Sequence, residues 1–478
     1  MQRIEQWAAD VNSVPVDVIE RAVKIVTSAL PDGRFAERER VALAIGNEVV
    51  RRVLQGDLER IATELDADAV LINGRRHVRH EPGTVPYHSL CGPLPVVRYT
   101  YRDAEVRNGP TVVPLELAAG IVERATPALG YAVVRGYAVN DSRGVEQELW
   151  AAARVPPSRS TIERMATSIG EVAVERVEAV ERAIRRCEPV PEGAHAVIIG
   201  LDRTSVPMVA RREGPPQPSP RRKRPLERRS SGAYDVVYKM AYVGTVSFVD
   251  EHGEAVAVRR YASPACDDPR ELVPRMLSDV AAALKRAPRL HVATVQDGAP
   301  EMWNRTREGV HALREQGLLP RAYEAIDRYH LMEHLGAALA LAENDPEQRV
   351  ALLSYWAKHL DEDDEAIDHI EGYLHVVYRT LPPKKAASLW EELVYLRNNK
   401  DRMRYATLRA LGLPVGSGVT ESAAKTVIGQ RANRGGQRWL EPGLRGALTF
   451  RAMVMSDRYP KFWHHVSQHY TARVEVAA

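Results

Sequence analysis

Cysteine is scarce in this chain. There are three in 478 residues, Cys91, Cys187 and Cys266, far apart and with no C-x-x-C pair. That excludes a disulfide framework and suits a reducing compartment. Long apolar runs are missing too. The longest, LGAALALA at 335–342, is far too short to span a bilayer. The opening MQRIEQWAADVNSVP lacks the apolar core of a signal peptide. A soluble, cytoplasmic protein is the expectation. Charge of one sign is also absent in the total: 66 Lys and Arg stand against 63 Asp and Glu. Any surface for a polyanion must therefore be local.

What is present is enough apolar residue, 45%, and enough length for two to four domains. Residues 1 to about 65 carry apolar side chains at three- and four-residue intervals and read as helix. Between 69 and 140, AVLINGRRHVRH, LPVVRYTYRDAEVR and YAVVRGYAV alternate and hold turn residues, which predicts short strands in part of the region. VEQELWAAARVPPSRSTIERMATSIGE then reads as helix, Pro-Pro turn, helix. Ser160 and Glu163 have capping-box spacing at the second helix start. The pair at 145–170 suits either a DNA-reading helix-turn-helix or an ordinary helical hairpin.

From 191 the pattern is mixed. HAVIIGLDRTSVPMVA reads as a buried strand ending at Asp202, and two more strands follow, joined by a turn at 250–254. A helix comes next, then LHVATVQDGAP, a strand ending at Asp297, and a short strand in AYEAIDRYH. Residues 335–410 read as amphipathic helices, with the acidic run 361–368 a solvated face or loop. Residues 211–232 are proline-rich and hold eight Arg or Lys against two Glu. They read as a solvated loop or as an arm, Arg221, Arg222, Lys223 and Arg224, that neutralises phosphates.

Three carboxylates stand out. Asp202 and Asp297 each follow an apolar, β-branched run, where catalytic groups of mixed sheets gather. Close carboxylates repel, and Mg²⁺ bound through carboxylates and phosphate oxygens gives them a reason to coexist. Glu421 sits in the first turn of a helix after a Pro- and Gly-rich turn, followed by Lys425, Arg431, Arg434 and Arg438. Separately, DRYHLMEHL spells H-x-x-E-H with His330, Glu333 and His334, a zinc-hydrolase pattern that still needs a third ligand.

DRTSVPM, QDGAPEMWN, DRYHLMEHL, RNNKDRMRY, GLPVGSGVTESAAK and RGGQRW, taken in order, span about 202–463. In this company the chain resembles bacterial insertion-sequence transposases of the DDE type, in the subgroup typified by the Kra insertion sequences. The resemblance implies a multidomain α+β protein. Its parts would be a mainly helical DNA-binding region with some strands (1–190), a ribonuclease H-like α/β core (191–334 and 411–478) and a helical insertion (335–410). It implies that Asp202, Asp297 and Glu421 are a catalytic, metal-binding triad for two Mg²⁺, with Mn²⁺ as substitute. Asp327 and His330 would assist. Double-stranded DNA would be the partner, held partly by the cations named above, with a homo-oligomer formed on DNA and a nucleoid-associated location. Two departures stand beside it: Arg203 replaces the usual glycine after the first aspartate, and no paired cysteines offer a zinc knuckle. A transposase-derived DNA-binding protein without catalysis, and a zinc hydrolase on His330 and His334, are the alternatives.

Overall fold

The computed structural model describes residues 14–211, 234–263, 269–319 and 321–477. The basic arm 221–224 lies outside them. The chain divides into two compact units, one of residues 1–169 with 467–478, the other of residues 170–466. Among the described residues no helix is long and apolar enough to cross a membrane.

The first unit opens with helices α1 (Val16–Ser28) and α2 (Phe35–Glu64). An antiparallel sheet follows, with strands β1 (Ala69–Ile72), β2 (Arg75–Ser89), β3 (Gly92–Asp103) and β4 (Thr111–Val112). The β2–β3 hairpin closes with Ser89 opposite Gly92, and the Ser89 hydroxyl donates to the Gly92 carbonyl at 2.8 Å. Gly92 has φ +115°, which a side chain resists. Helices α3 (Pro114–Ala119), α4 (Pro127–Val139) and α5 (Ser142–Ala151) come next, and α6 (Arg159–Glu175) starts in this unit. Near the C-terminus β10 (Val474–Val476) returns to pair with β1.

Two expectations fail here. YAVVRGYAV is helical, within α4, because its apolar residues also satisfy a helical period. Leu129, Gly130, Val133, Val134 and Ala138 are buried along one stripe, and Pro127 starts the helix. The capping box at Ser160 and Glu163 is also displaced. Helix α6 starts two residues earlier than that cap would place it, and Ser158 takes the cap position, receiving the Thr161 N–H at 3.4 Å. Glu163 instead accepts the Ser142 hydroxyl at 2.7 Å, tying α6 to α5. The helix, Pro-Pro turn, helix order itself is present.

The second unit continues α6 into α7 (Val177–Cys187) and is built on a mixed sheet. Its strands are β5 (Ala196–Arg211), β6 (Tyr234–Val249), β7 (Ala255–Ser263), β8 (His291–Gln296) and β9 (Tyr323–Ile326), in the order β7-β6-β5-β8-β9. Strands β5, β6 and β7 form an antiparallel meander, while β8 and β9 run parallel to β5. Strand β5 alternates. Val197, Ile199 and Leu201 pack with Leu272, Met276 and Val280 of α8 (Leu272–Arg286), while Ala196 and Ile198 face the opposite cluster. That second cluster joins α10 (Arg328–Ala342) to the helical block α11 (Pro346–Glu362), α12 (Ala366–Tyr378), α13 (Pro383–Asn399) and α14 (Tyr405–Ala410). Helix α9 (Pro300–Glu315) lies between β8 and β9 in the chain. After the block come α15 (Gly418–Ala423), a π-helical turn (Ala424–Gly429), α16 (Gln430–Ala432), α17 (Glu441–Met455) and α18 (Tyr459–Ser467). Residues 170–190, grouped by sequence with the N-terminal region, pack in this unit, and the last dozen residues belong to the other.

Candidate active site

Asp202 does not end its strand, as the sequence suggests. Strand β5 continues to Arg211, and Asp202 stays paired opposite Val243 of β6. What ends nearby is the parallel partner: β8 pairs with β5 only through Ile199 and Thr294. Beyond that point no strand pairs with this edge of β5 until the isolated bridge of Met208 to Trp439, and Asp202 lies in the gap. The apolar run marks the end of the two-sided sheet rather than of the strand.

Asp297 directly follows β8. Its Oδ1 accepts the Ala299 N–H at 3.0 Å, and its carbonyl accepts the Trp303 indole N–H, so the turn into α9 is fixed from both sides. Gly298 is required there, because a Cβ would meet the Tyr395 ring at 2.7 Å.

Glu421 is brought in by α15, which docks against β5 and β6 through a second close approach. A Cβ on Gly200 would overlap the Thr420 hydroxyl, and Thr420 is bonded to the Thr245 hydroxyl at 2.7 Å. Ala423, Ala424, Val427 and Ile428 are buried, as their spacing predicts. Asp327 organises the same corner. It is 3% exposed; one oxygen accepts the His330 N–H at 2.8 Å and the other accepts the Ser417 N–H. The Arg328 N–H bonds the Val415 carbonyl at 3.0 Å. Asp327 thus caps α10 and holds the turn that launches α15, so its carboxylate is already engaged by backbone donors.

Asp202, Asp297, Asp327, His330, Glu421 and Lys425 all line one cleft of about 370 Å³. Burial pushes the Asp202 carboxyl up to about 6; the Arg203 N–H bond opposes this, and the charges of Asp297 and Glu421 add to it. A carboxylate strained by its neighbours in this way is a fitting partner for a divalent cation. The three carboxylates share the cleft without their ligand atoms all lying within 4.8 Å of one another. Among the described residues, the one group of three or more metal-binding side chains with ligand atoms all within 4.8 Å is His359, Asp363 and His369, outside this cleft.

No protein-family model and no curated protein matches this chain. The site must be read from its own geometry.

Arg203, the departure beside Asp202, turns its side chain to Glu301 of α9, forming an ion pair there. His330 is partly exposed at the cleft, 3.3 Å from Glu333. The His334 ring packs edge-on to that of His330, 4.9 Å between centroids, but has its own partners: its Nδ1 is 2.7 Å from Glu392, and its ring stacks on Tyr395 at 3.6 Å between centroids. The two histidines of H-x-x-E-H therefore have different surroundings. Tyr395, which the sequence did not single out, has its hydroxyl pushed up by burial and by the charges of Asp297 and Asp327. It lies 98 residues after Asp297 and 68 after Asp327, and no local signal marks it.

The four cations after Glu421 separate. Lys425 is exposed at the cleft and 3.3 Å from Glu421. Arg438 is exposed and Arg434 half-buried, its Nε donating to the Gln430 carbonyl at 2.8 Å. Arg431, expected to touch DNA, is fully buried: its guanidinium lies over the Trp439 ring at 4.6 Å and donates to Gln437 at 3.3 Å. Its aliphatic stem and planar head suit a stacked interior position.

Proposed function

We propose that the protein is a DDE transposase with a ribonuclease H-like core, cleaving element-end DNA and joining it to a target. One observation carries this reading: Asp202, Asp297 and Glu421, from three separate elements, meet in a single cleft, where two of them raise the proton affinity of the third. The meander with two added parallel strands supports the core assignment, as does the helical block between β9 and α15.

Asp202, Asp297 and Glu421 would hold Mg²⁺. When bound there, Mg²⁺ supplies charge neutralisation for the attacking and leaving oxygens of a phosphoryl transfer. Asp327 keeps α15 in register with β9, and so sets where Glu421 stands. Lys425 offers a cation at the rim, next to Glu421, for a phosphate of the DNA backbone. Arg434 and Arg438, later in the chain, would add further phosphate contacts. His330 offers a hydrogen-bonding side chain at the cleft. DNA duplexes are the partner. Assembly as an oligomer on DNA has support in the apolar side chains exposed along α1 and α2, among them Val16, Ile25, Phe35 and Val53. A nucleoid-associated, cytoplasmic location follows from this activity.

The reading without catalysis rested on Arg203 blocking Asp202, but the Arg203 side chain is drawn to Glu301. The zinc-hydrolase reading needs His330 and His334 on one ion, whereas His334 is engaged by Glu392 and Tyr395. The test is strand transfer on DNA carrying the element ends, with Mg²⁺ binding by calorimetry as a separate readout. Asp202→Asn should lose both and retain DNA binding; unchanged Mg²⁺ affinity in that variant would contradict the assignment.

A further inference from the structure

The helical block carries a second group of ligating side chains, remote in role from the carboxylate cleft. His359 lies in the last turn of α11, Asp363 directly follows that helix, and His369 lies in the first turn of α12. One ligand atom from each lies within 4.8 Å of the other two. The two imidazoles are nearly parallel, 6° between planes with centroids 5.8 Å apart, and Tyr355 stacks on His359 at 5.7 Å.

Asp363 is prepared for the same point. Its Oδ1 accepts the Glu365 N–H at 2.9 Å, which fixes the carboxylate and turns Oδ2 toward His359. Oδ2 stands 3.8 Å from His359 Nε2. That is too long for a hydrogen bond. Two ligands about 2.1 Å from one tetrahedral ion lie roughly 3.4 Å apart, so a small closure brings both into coordination. The Glu365 N–H then serves as the supporting bond that orients a ligating carboxylate.

We propose that His359, Asp363 and His369 form a binding site for a zinc-class divalent transition metal that pins the α11–α12 corner. Two neutral imidazoles and one carboxylate suit Zn²⁺ or Co²⁺, whereas Mg²⁺ prefers an all-oxygen set. Water completes the fourth position. The corner it pins also holds Asp361, which binds Arg328 through Nε at 2.7 Å and Arg409 at 3.1 Å. Arg328 is the residue after Asp327. The ion thereby steadies the support behind the cleft without entering it. This site does not depend on the transposase reading.

The experiment uses the full chain without an affinity tag, stripped with EDTA and titrated with Zn²⁺ and with Co²⁺. One equivalent should bind with micromolar or tighter affinity, Co²⁺ giving the visible absorption of a tetrahedral site. Zn²⁺ should raise the thermal midpoint. His359→Ala and His369→Ala should each lose at least tenfold in affinity and the thermal shift. His369 is exposed, so His369→Ala keeps the metal-free midpoint and provides the folded control. His330→Ala, His334→Ala and Asp202→Asn should bind as the parent does. Absence of stoichiometric binding, unchanged binding in His369→Ala, or loss of binding in His334→Ala would each overturn the assignment.

Discussion

Asp202 is where function and stability oppose each other most directly. Its carboxyl is raised to about 6 in the folded chain, above the ordinary value near 3.8. A raised acid favours the folded state while protonated. The metal-free protein is therefore most stable below about pH 4 with respect to this group, and loses that contribution as pH rises through 6. Asp202→Asn removes the penalty. It should raise the stability of metal-free protein at pH 7 by up to about 3 kcal/mol, with little effect at pH 4. Denaturant unfolding at the two pH values checks this. Mg²⁺ should stabilise the parent at pH 7 and leave the variant unmoved.

The histidines of DRYHLMEHL give a second contrast at this scale. His330→Ala should impair strand transfer far more than His334→Ala, since His330 lines the cleft. His334→Ala should instead lower stability by about 1–2 kcal/mol, through the lost Glu392 bond and Tyr395 stack. Neither should change zinc content. Equal losses of activity in both would return the pair to a shared role. Arg431 shows why residue type alone misleads. Sequence placed it among DNA contacts because it lies in a basic run, yet a helix face turns it inward onto Trp439. Arg431→Ala should cost about 2–3 kcal/mol of stability and leave the salt dependence of DNA binding unchanged.

Among elements, α15 decides the site, because it alone carries Glu421. Its approach to β5 needs Gly200 bare of side chain, as Thr420 occupies that space. Gly200→Ala should destabilise the second unit by about 2 kcal/mol and weaken Mg²⁺ binding, since α15 must retreat. Full Mg²⁺ affinity in that variant would show that Glu421 does not rely on this packing. Much of this layer was legible. The order of strands from β5 to β9, the helix before β8, the helical block and the buried face after Glu421 all followed from hydrophobic period. What escaped had physical reasons. YAVVRGYAV satisfies both a strand and a helix period, and burial on one helical stripe decided it. The continuation of β5 past Asp202 depends on pairing with a distant β6. Gly200 and Tyr395 act through residues far off in sequence, which no local pattern encodes.

For the whole molecule, the near-neutral total charge means that the proposed affinity for DNA would have to come from a few local cations. Lys425, at the cleft, and Arg438, further along the chain, are both exposed. The double replacement Lys425→Ala with Arg438→Ala should weaken binding to all DNA sequences alike. It should reduce the magnitude of the salt slope by about 0.9 per lost phosphate contact. An unchanged slope would make these side chains solvated bystanders. The central claim, however, is that three carboxylates from three elements act as one catalytic centre. It is tested most directly by strand cleavage of element-end DNA in Mg²⁺, with DNA binding measured in parallel, for the parent and for Asp202→Asn, Asp297→Asn and Glu421→Gln. The account predicts cleavage by the parent only when Mg²⁺ is present, none by any of the three variants, and DNA affinity within about twofold throughout. Cleavage at the parent's rate by any single variant, or by the parent in EDTA, would contradict it.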